Sequence, residues 1–221
     1  DADIDNAISA AMLANFYTQG EICTNGTRVF VAASIHDEFV SRLLQRTQKM
    51  IIGDPMNPQT HVGALISQAH REKVLDYIEQ GKQAGATLLC GGKQPDDPRL
   101  SKGAFVEPTI FTDCSDDMTI VTDEIFGPVM SILSFNGEDE VIRRANDTEY
   151  GLAAGIWTRD LGRAHRVAKA VRAGSVWVNQ YDGGDMTAPF GGFKQSGNGR
   201  DKSLHAFDKY TETKATWIKL S

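Results

Sequence analysis

Apolar residues recur every three or four positions in five stretches of the chain, a spacing typical of helices that bury one face. The predicted helices cover residues 3–20, 34–50, 67–84, 139–146 and 160–171. Polar residues support their starts, since Asp3 and Asp160 are plausible N-caps and Ser34 with Asp37 forms a capping-box-like pair. The stretches between these helices must supply the rest of the fold.

Between the helices, runs rich in β-branched and aromatic residues predict strands. They cover residues 28–31, 87–90, 105–111, 129–135, 153–157 and 175–178. Pro108 marks the third run as an edge or broken strand, because proline cannot donate to a ladder. Strands that alternate with helices indicate an α/β domain, with a largely parallel, open twisted sheet flanked by helices.

The last segment, residues 211–220, predicts a terminal strand with two different faces. Ile218 and Leu220 alternate there with Trp217 and Lys219. A terminal strand needs a partner edge, and the edge of another subunit can serve. We therefore expect a C-terminal oligomerisation strand in a homo-oligomer, a dimer or a tetramer.

Composition narrows the class of protein. With 221 residues, of which 41% are hydrophobic and 24% charged, the chain predicts one large or two small globular domains. The net charge of −6 and the lack of a basic run argue against a nucleic-acid partner. No apolar stretch reaches the roughly 20 residues that span a bilayer, and the acidic first segment does not resemble a secretory signal. We expect a cytoplasmic protein with no membrane partner.

Three cysteines at wide spacing suggest neither a disulfide framework nor a CxxC site, and the five histidines show no zinc-binding spacing. Cys23 lies in a predicted turn between Gly20 and Gly26, where tight backbone can hold a side chain open to a cleft. A lone cysteine is more often a small buried hydrophobe. The partially negative end of the preceding helix also disfavours a thiolate, so a nucleophilic Cys23 would need a separate base or cation.

Four segments nevertheless resemble, in order, the motifs of the aldehyde dehydrogenase superfamily, in its C-terminal catalytic half. They are FYTQGEICTNGTR (16–28), DEIFGPV (123–129), ANDTEYGL (145–152) and PFGGFKQSGNGR (189–200). The resemblance runs over the whole chain and implies that Cys23 is the nucleophile of a nicotinamide-dependent aldehyde oxidation. A thiolate adds to the aldehyde, a hydride passes to NAD or NADP, and water hydrolyses the thioester.

The resemblance also implies roles for other residues. Glu124 would hydrogen-bond the nicotinamide ribose and Phe126 would pack beside it, while Phe190 would form the wall of the aldehyde pocket. Asp201 stands where the family more often has a Glu, and its shorter side chain puts an implied proton relay in question. In the betaine-aldehyde branch, backbone carbonyls near Lys194 and Gly197 would bind potassium. The Gly-rich run 191–199 fits no phosphate-binding motif, so it predicts a packed turn.

Family members carry a general-base Glu, an oxyanion-stabilising Asn and the cofactor-binding domain on the N-terminal side of the cysteine motif. The resemblance therefore predicts a catalytic domain at 1–209 and an oligomerisation arm at 210–221, with the cofactor-binding domain outside this chain. We expect a piece of a longer enzyme that is inactive alone.

The substrate class is suggested by both ends of the chain. Residues 19–31 and 116–133 resemble betaine aldehyde and trimethylaminobutyraldehyde dehydrogenases, and residues 176–207 resemble more closely the γ-glutamyl-aminobutyraldehyde dehydrogenases. In the loop before Phe190, Tyr181 with the carboxylates of Asp182 and Asp185 could attract an ammonium group, although Asp and Gly also favour turns for backbone reasons. An amino- or ammonium-aldehyde, with betaine aldehyde as the best single name, is therefore the expected substrate.

Two rival hypotheses remain. One is a cofactor-independent thiol acyltransferase or hydrolase that pairs Cys23 with His61 or His70. The other is a non-catalytic structural or assembly fragment. Turnover of a thioester without nicotinamide would favour the first.

Overall fold

A computed structural model describes all 221 residues. Its helices are α1 (Ile4–Phe16), α2 (His36–Thr47), α3 (Gln68–Gln83), the single turn α4 (Thr119–Thr122), α5 (Glu138–Asn146) and α6 (Leu161–Ala170). Its strands are β1 (Arg28–Ala32), β2 (Thr87–Cys90), β3 (Thr109–Thr112), β4 (Val129–Phe135), β5 (Ala153–Ile156) and β6 (Ser175–Val178). The predicted order of helices and strands is confirmed, with the addition of α4.

Most of the predicted helix starts are confirmed. The carboxylates of Asp3 and Asp160 accept backbone N–H bonds as N-caps. The capping box at Ser34 and Asp37 is wrong, because Ser34 lies in a short 3₁₀ turn before α2 and the N-cap residue is Ile35, which has no side-chain bond. The first helix ends at Phe16 rather than Gly20, which leaves residues 17–20 free to form an irregular turn before Cys23.

The main sheet has the strand order β1-β4-β3-β2. Strands β1, β4 and β3 are parallel, and β2 is antiparallel to β3. No crossover helix joins β2 to β3, so the chain turns back on itself and pairs antiparallel. Of the two alternatives predicted at Pro108, the edge strand is wrong and the broken strand is confirmed, because β3 is an inner strand that begins only after Pro108. Strands β5 and β6 form a separate parallel pair, which corrects the single sheet expected from the sequence.

The core lies on both faces of β4. Met130 and Ile132 pack with α1 and α2, while Val129 and Leu133 pack with α3 on the opposite face. Alternate side chains of a strand point to opposite faces, so a strand that is buried on both sides has a continuous apolar sequence. Residues 129–133 have such a sequence, with Ser131 as the one polar residue. Helix α1 is thereby fixed against the sheet, and the turn that carries Cys23 extends from its end.

The C-terminal segment differs from this core. Residues 211–220 are exposed and form no strand, so the predicted terminal strand is absent from the isolated chain. A strand needs a partner edge to satisfy its backbone hydrogen bonds, and none contacts this segment. Trp217 is 94% exposed.

None of the helices is both long and apolar enough to cross a membrane.

Candidate active site

Cys23 lies in a closed loop that we name the thiol loop, residues 17–26. Its two ends meet where the backbone N–H of Gly26 donates to the Ala14 carbonyl at 2.9 Å. The Asn15 amide Nδ2 donates to the Gly26 carbonyl at 3.0 Å, which ties helix α1 to the end of the loop. Cys23 is exposed on this loop, as the turn between two glycines predicted.

The three thiols differ in their environments. Cys90 and Cys114 are half-buried, and burial raises the pKa of each to about 11. Because the thiolate is the nucleophilic form, both remain almost entirely protonated and unreactive near neutral pH. Cys23 is therefore the thiol that is available for chemistry.

A small groove runs beside Cys23. It is lined by Leu13, Ala14, Tyr17, Ile22, Thr24, Tyr181 and Asp182. The Tyr181 hydroxyl donates to the Thr24 carbonyl, and burial raises the pKa of Tyr181, with smaller contributions from the charges of Asp182 and Cys23. The Trp177 ring lies 5.0 Å from the Tyr181 ring, between centroids. The groove thus has an aromatic wall and one carboxylate at its rim.

The two carboxylates of the loop before Phe190 have different roles. Asp182 is exposed and lines the groove. Asp185 accepts bonds from the backbone N–H of Thr187 at 2.7 Å and from the Thr187 hydroxyl, and these bonds lower the pKa of its carboxyl. Asp185 therefore shapes the turn, and only Asp182 faces the groove.

The DEIFGPV motif lies directly against the thiol loop. A Cβ atom on Gly20 would come within 2.2 Å of the Gly127 carbonyl oxygen, so only glycine permits this approach. Ile125 is fully buried and anchors the segment, while Glu124 is exposed and takes part in no hydrogen bond or ion pair. Phe126 is half-buried with a φ of +61°, an unusual conformation for an aromatic residue. The structure thus brings two of the four motifs together.

The other two motifs are bonded to each other. The Lys194 ammonium donates to the carbonyls of Asn146 and Thr148 at 2.8 and 2.9 Å. The backbone N–H of Phe193 donates to the Gly151 carbonyl at 2.9 Å. The pKa of Tyr150 is raised mainly by burial and next by its bond to Glu149. The charge of Glu124 in the DEIFGPV motif makes a smaller contribution, so the two carboxylates act on the same hydroxyl.

The remaining predicted residues lie outside the groove. Phe190 and Asp201 pair through their backbones at 2.8 and 2.7 Å, and the Asp201 carboxylate is bonded to the Lys209 ammonium. Nothing connects Asp201 with Cys23, so the structure gives the proton relay no support. The Lys194 carbonyl accepts from the Gly197 N–H at 3.2 Å within a tight turn. No group of His, Cys, Asp and Glu side chains could hold a metal ion, and potassium on backbone carbonyls stays a prediction.

Neither histidine of the rival thiol hypothesis is bonded to Cys23. His61 Nδ1 accepts from the Ile51 N–H at 3.0 Å, and His70 Nε2 lies 2.7 Å from the Phe126 carbonyl. A general base must lie within hydrogen-bond reach of the proton that it removes. The geometry therefore does not favour a Cys–His pair.

Sequence reasoning missed two residues of the site. Asn25 was given no role, and the bond between His70 and the Phe126 carbonyl was not expected. Their partners lie 102 and 56 residues away along the chain, at Gly127 and Phe126. No spacing rule links positions so far apart, and the only signal in the sequence was an Asn beside a glycine in the cysteine motif.

Comparisons with known proteins agree with the motifs. The family model described as aldehyde dehydrogenase family matches residues 1–216. A betaine aldehyde dehydrogenase from Mesorhizobium japonicum is 57% identical over 219 residues, which cover 99% of this chain and 45% of that protein. The chain thus spans about half the length of the curated relatives that it matches.

Solved structures give the same result for the fold. An indole-3-acetaldehyde dehydrogenase complexed with NAD+ matches with a TM-score of 0.94 and 55% identity, covering 100% of this chain and 44% of that one. The aldehyde dehydrogenase KauB from Pseudomonas aeruginosa matches with a TM-score of 0.94 and 56% identity, with the same coverage. The expected α/β fold is confirmed.

Proposed function

Because the chain belongs to the aldehyde dehydrogenase family, we propose that it supplies the thiol centre of an NAD-dependent aldehyde oxidation. The Cys23 thiolate adds to the aldehyde carbon, the tetrahedral thiohemiacetal loses a hydride, and water hydrolyses the resulting thioester to a carboxylate. One observation carries this proposal: the exposed thiol lies between two residues that line a groove, Ile22 and Thr24, and its loop lies in close backbone contact with the DEIFGPV motif.

Residues of that motif fit a nicotinamide cofactor, which supplies the hydride acceptor when bound. The Glu124 carboxylate is exposed and unpaired, so its oxygens are free to accept bonds from the two ribose hydroxyls. Phe126 offers an aromatic face beside the same place. NAD+ rather than NADP+ is proposed because the similar indole-3-acetaldehyde dehydrogenase is complexed with NAD+.

The general base and the oxyanion donor are proposed to come from segments outside these 221 residues. The chain covers 45% of the Mesorhizobium relative, and the family places both groups before the cysteine motif. We keep residues 1–209 as the catalytic unit and 210–221 as an arm that contacts a second copy. Without the missing groups, these residues alone should not reduce NAD+.

An ammonium aldehyde is the proposed substrate class. The aromatic pair of Trp177 and Tyr181 beside the Asp182 carboxylate offers both cation–π and charge attraction. The 57% identity to a betaine aldehyde dehydrogenase supports this class, but overall identity does not decide it. An indole-3-acetaldehyde dehydrogenase is 55% identical. The groove therefore carries the argument, and potassium binding and a cytoplasmic location stay predictions.

The thiol assignment is tested by replacing each cysteine in the full-length protein. Cys23→Ser should abolish NAD+ reduction, because an alcohol is a far weaker nucleophile than a thiolate. Cys90→Ser and Cys114→Ser are matched controls whose thiols lie away from the groove, and they should keep the burst of NADH formed per correctly folded molecule. A Cys23→Ser protein that keeps a substantial fraction of the rate would remove Cys23 from the mechanism.

A further inference from the structure

Two side chains bond the backbone of the DEIFGPV motif, Asn25 from the thiol loop and His70 from the start of α3. The Asn25 amide Nδ2 donates to the Gly20 carbonyl at 2.8 Å and to the Gly127 carbonyl at 3.3 Å. His70 Nε2 bonds the carbonyl of Phe126 at 2.7 Å. A carbonyl only accepts, so the Nε2 atom of His70 carries the proton. Two consecutive carbonyls of the motif are therefore held from two separate segments.

The backbone at these carbonyls is strained. Phe126 has a φ of +61°, which costs free energy for a residue with a bulky side chain. Such a conformation persists only where the surrounding structure fixes it. The bonds from His70 and Asn25, with the close approach of Gly20 to Gly127, provide that constraint.

The arrangement also reaches the residues that flank Cys23. His70 Nε2 lies 3.6 Å from a carboxylate oxygen of Glu21, and the other neighbour of that oxygen is the Ile66 N–H, at 3.0 Å. Both His70 and Glu21 have side chains that are largely buried. The start of α3, with Ile66 just before it, thus contacts both the thiol loop and the motif.

We propose that Asn25 and His70 are positioning residues, which hold the strained Phe126–Gly127 backbone against the thiol loop. The Cys23 thiol and the segment that contacts the nicotinamide thereby keep a fixed position relative to each other. The inference rests on the proposed function and adds two residues to it. Neither side chain touches the reacting atoms. Each acts through the backbone of Phe126 and Gly127.

The buried amide of Asn25 supports a role beyond packing. Its Oδ1 is buried without a partner, a cost that an apolar side chain would avoid. Asn15 is a natural comparison, since its Oδ1 is also buried and unpaired. The Nδ2 of Asn15, however, bonds only the carbonyls of Ala11 and Gly26, within α1 and the thiol loop.

The test uses the full-length protein with Asn25→Ala and His70→Leu. Three quantities are measured. They are the rate at which iodoacetamide alkylates Cys23 without cofactor, the KM for NAD+, and the first-turnover burst of NADH per titrated Cys23. Because a small misplacement slows a positioned reaction steeply, the burst should fall about tenfold or more in both variants, while KM and alkylation change less than about threefold.

Two control variants separate positioning from folding. In His70→Gln the amide N–H can again donate to the Phe126 carbonyl, so the burst should recover most of its rate. Asn15→Ala disturbs the thiol loop alone, so alkylation and burst should fall together. A purely structural role of Asn25 and His70 would lower the number of titratable Cys23 thiols and leave the burst per thiol unchanged, which would overturn the proposal.

A second measurement does not depend on turnover. If the wild-type protein forms no NADH, the proposed function fails, and amide hydrogen exchange over residues 123–129 decides the positioning role. Faster exchange there in both Asn25→Ala and His70→Leu, but not in Asn15→Ala, supports it. Unchanged exchange overturns it.

Discussion

Two exposed regions of this chain differ in how firmly buried residues hold them in place. The thiol loop and the DEIFGPV motif are exposed at Cys23 and Glu124, yet buried residues such as Phe16 and Ile125 anchor them. The C-terminal segment, residues 203–221, has no fully buried residue, and Phe207, Trp217 and Leu220 are largely exposed. The first region is fixed by contacts within the chain.

The difference shows where each region gets its geometry. In the site, two unusual backbone positions have partners, since Gly20 lies against Gly127 and His70 bonds the Phe126 carbonyl. In the C-terminal segment, the apolar side chains of Trp217 and Leu220 are exposed. The geometry of the site is therefore fixed by contacts within the chain, whereas that of the proposed arm is not.

The largest expected effect comes from breaking the contact between the thiol loop and the DEIFGPV motif. Gly20→Ala places a Cβ atom 2.2 Å from the Gly127 carbonyl oxygen, at a φ of +75°. Because backbone must shift to relieve this clash, we expect NADH formation by the full-length protein to fall at least roughly a hundredfold.

Gly85→Ala is the matched control for this change. Gly85 also has a positive φ, of +95°, but a Cβ atom there meets nothing within 4 Å. It should lower the free energy of unfolding by about 1 kcal/mol and leave the rate per folded molecule unchanged. Equal losses in both variants would show that the contact between the two segments is not required.

Much of the anchored region could be predicted from sequence, because its determinants are local. The periodicity of α1, the apolar run of β4 and the Asp160 cap each depend on residues within a few positions. The motif resemblance then located Cys23 and Glu124. The separate β5–β6 pair and the contacts of Asn25 could not be predicted, since both depend on segments brought together only by the folded core.

The C-terminal segment shows what the sequence pattern alone could not predict. Alternation at 211–220 predicted a strand, yet a strand requires a second edge that this chain does not provide. The roles of Asp182 and Asp185 were likewise not separable, because both are acids in one glycine-rich loop. Only the bonds of Asp185 to Thr187 distinguish them.

Deleting residues 211–221 should break the second region alone. Loss of about two backbone hydrogen bonds, at about 1 kcal/mol each, would weaken self-association of the full-length protein by roughly thirtyfold. Unfolding of the monomer at low protein concentration should be nearly unchanged, because every residue of the segment is exposed and its one side-chain hydrogen bond joins the Thr211 hydroxyl to the Phe207 carbonyl. Analytical ultracentrifugation and dilute denaturant titration measure the two quantities, and a less stable monomer would contradict the comparison.

Asp182→Asn and Asp185→Asn separate the roles of two carboxylates in the same loop. Loss of the groove carboxylate should raise KM for an ammonium aldehyde roughly tenfold and leave a neutral aliphatic aldehyde nearly unaffected. Asp185→Asn should change neither KM, because that carboxylate is bonded to Thr187 and does not line the groove. Steady-state kinetics with betaine aldehyde and propanal measure both effects, and equal effects on the two substrates would withdraw the cation site.

The smallest expected effect is a pH dependence of stability that arises at the main sheet, where Cys90 ends β2 and Cys114 follows β3. Burial raises the pKa of Cys90 and Cys114 from 9.0 to about 11, so between these values the unfolded chain has lost thiol protons that the folded chain keeps. The unfolded state then binds fewer protons, and the free energy of unfolding must fall as pH rises through this window. Cys90→Ser with Cys114→Ser should reduce that slope between pH 9 and 11 in urea titrations, whatever the double variant does to stability at pH 7. An unchanged slope in the double variant would contradict the burial of these two thiols.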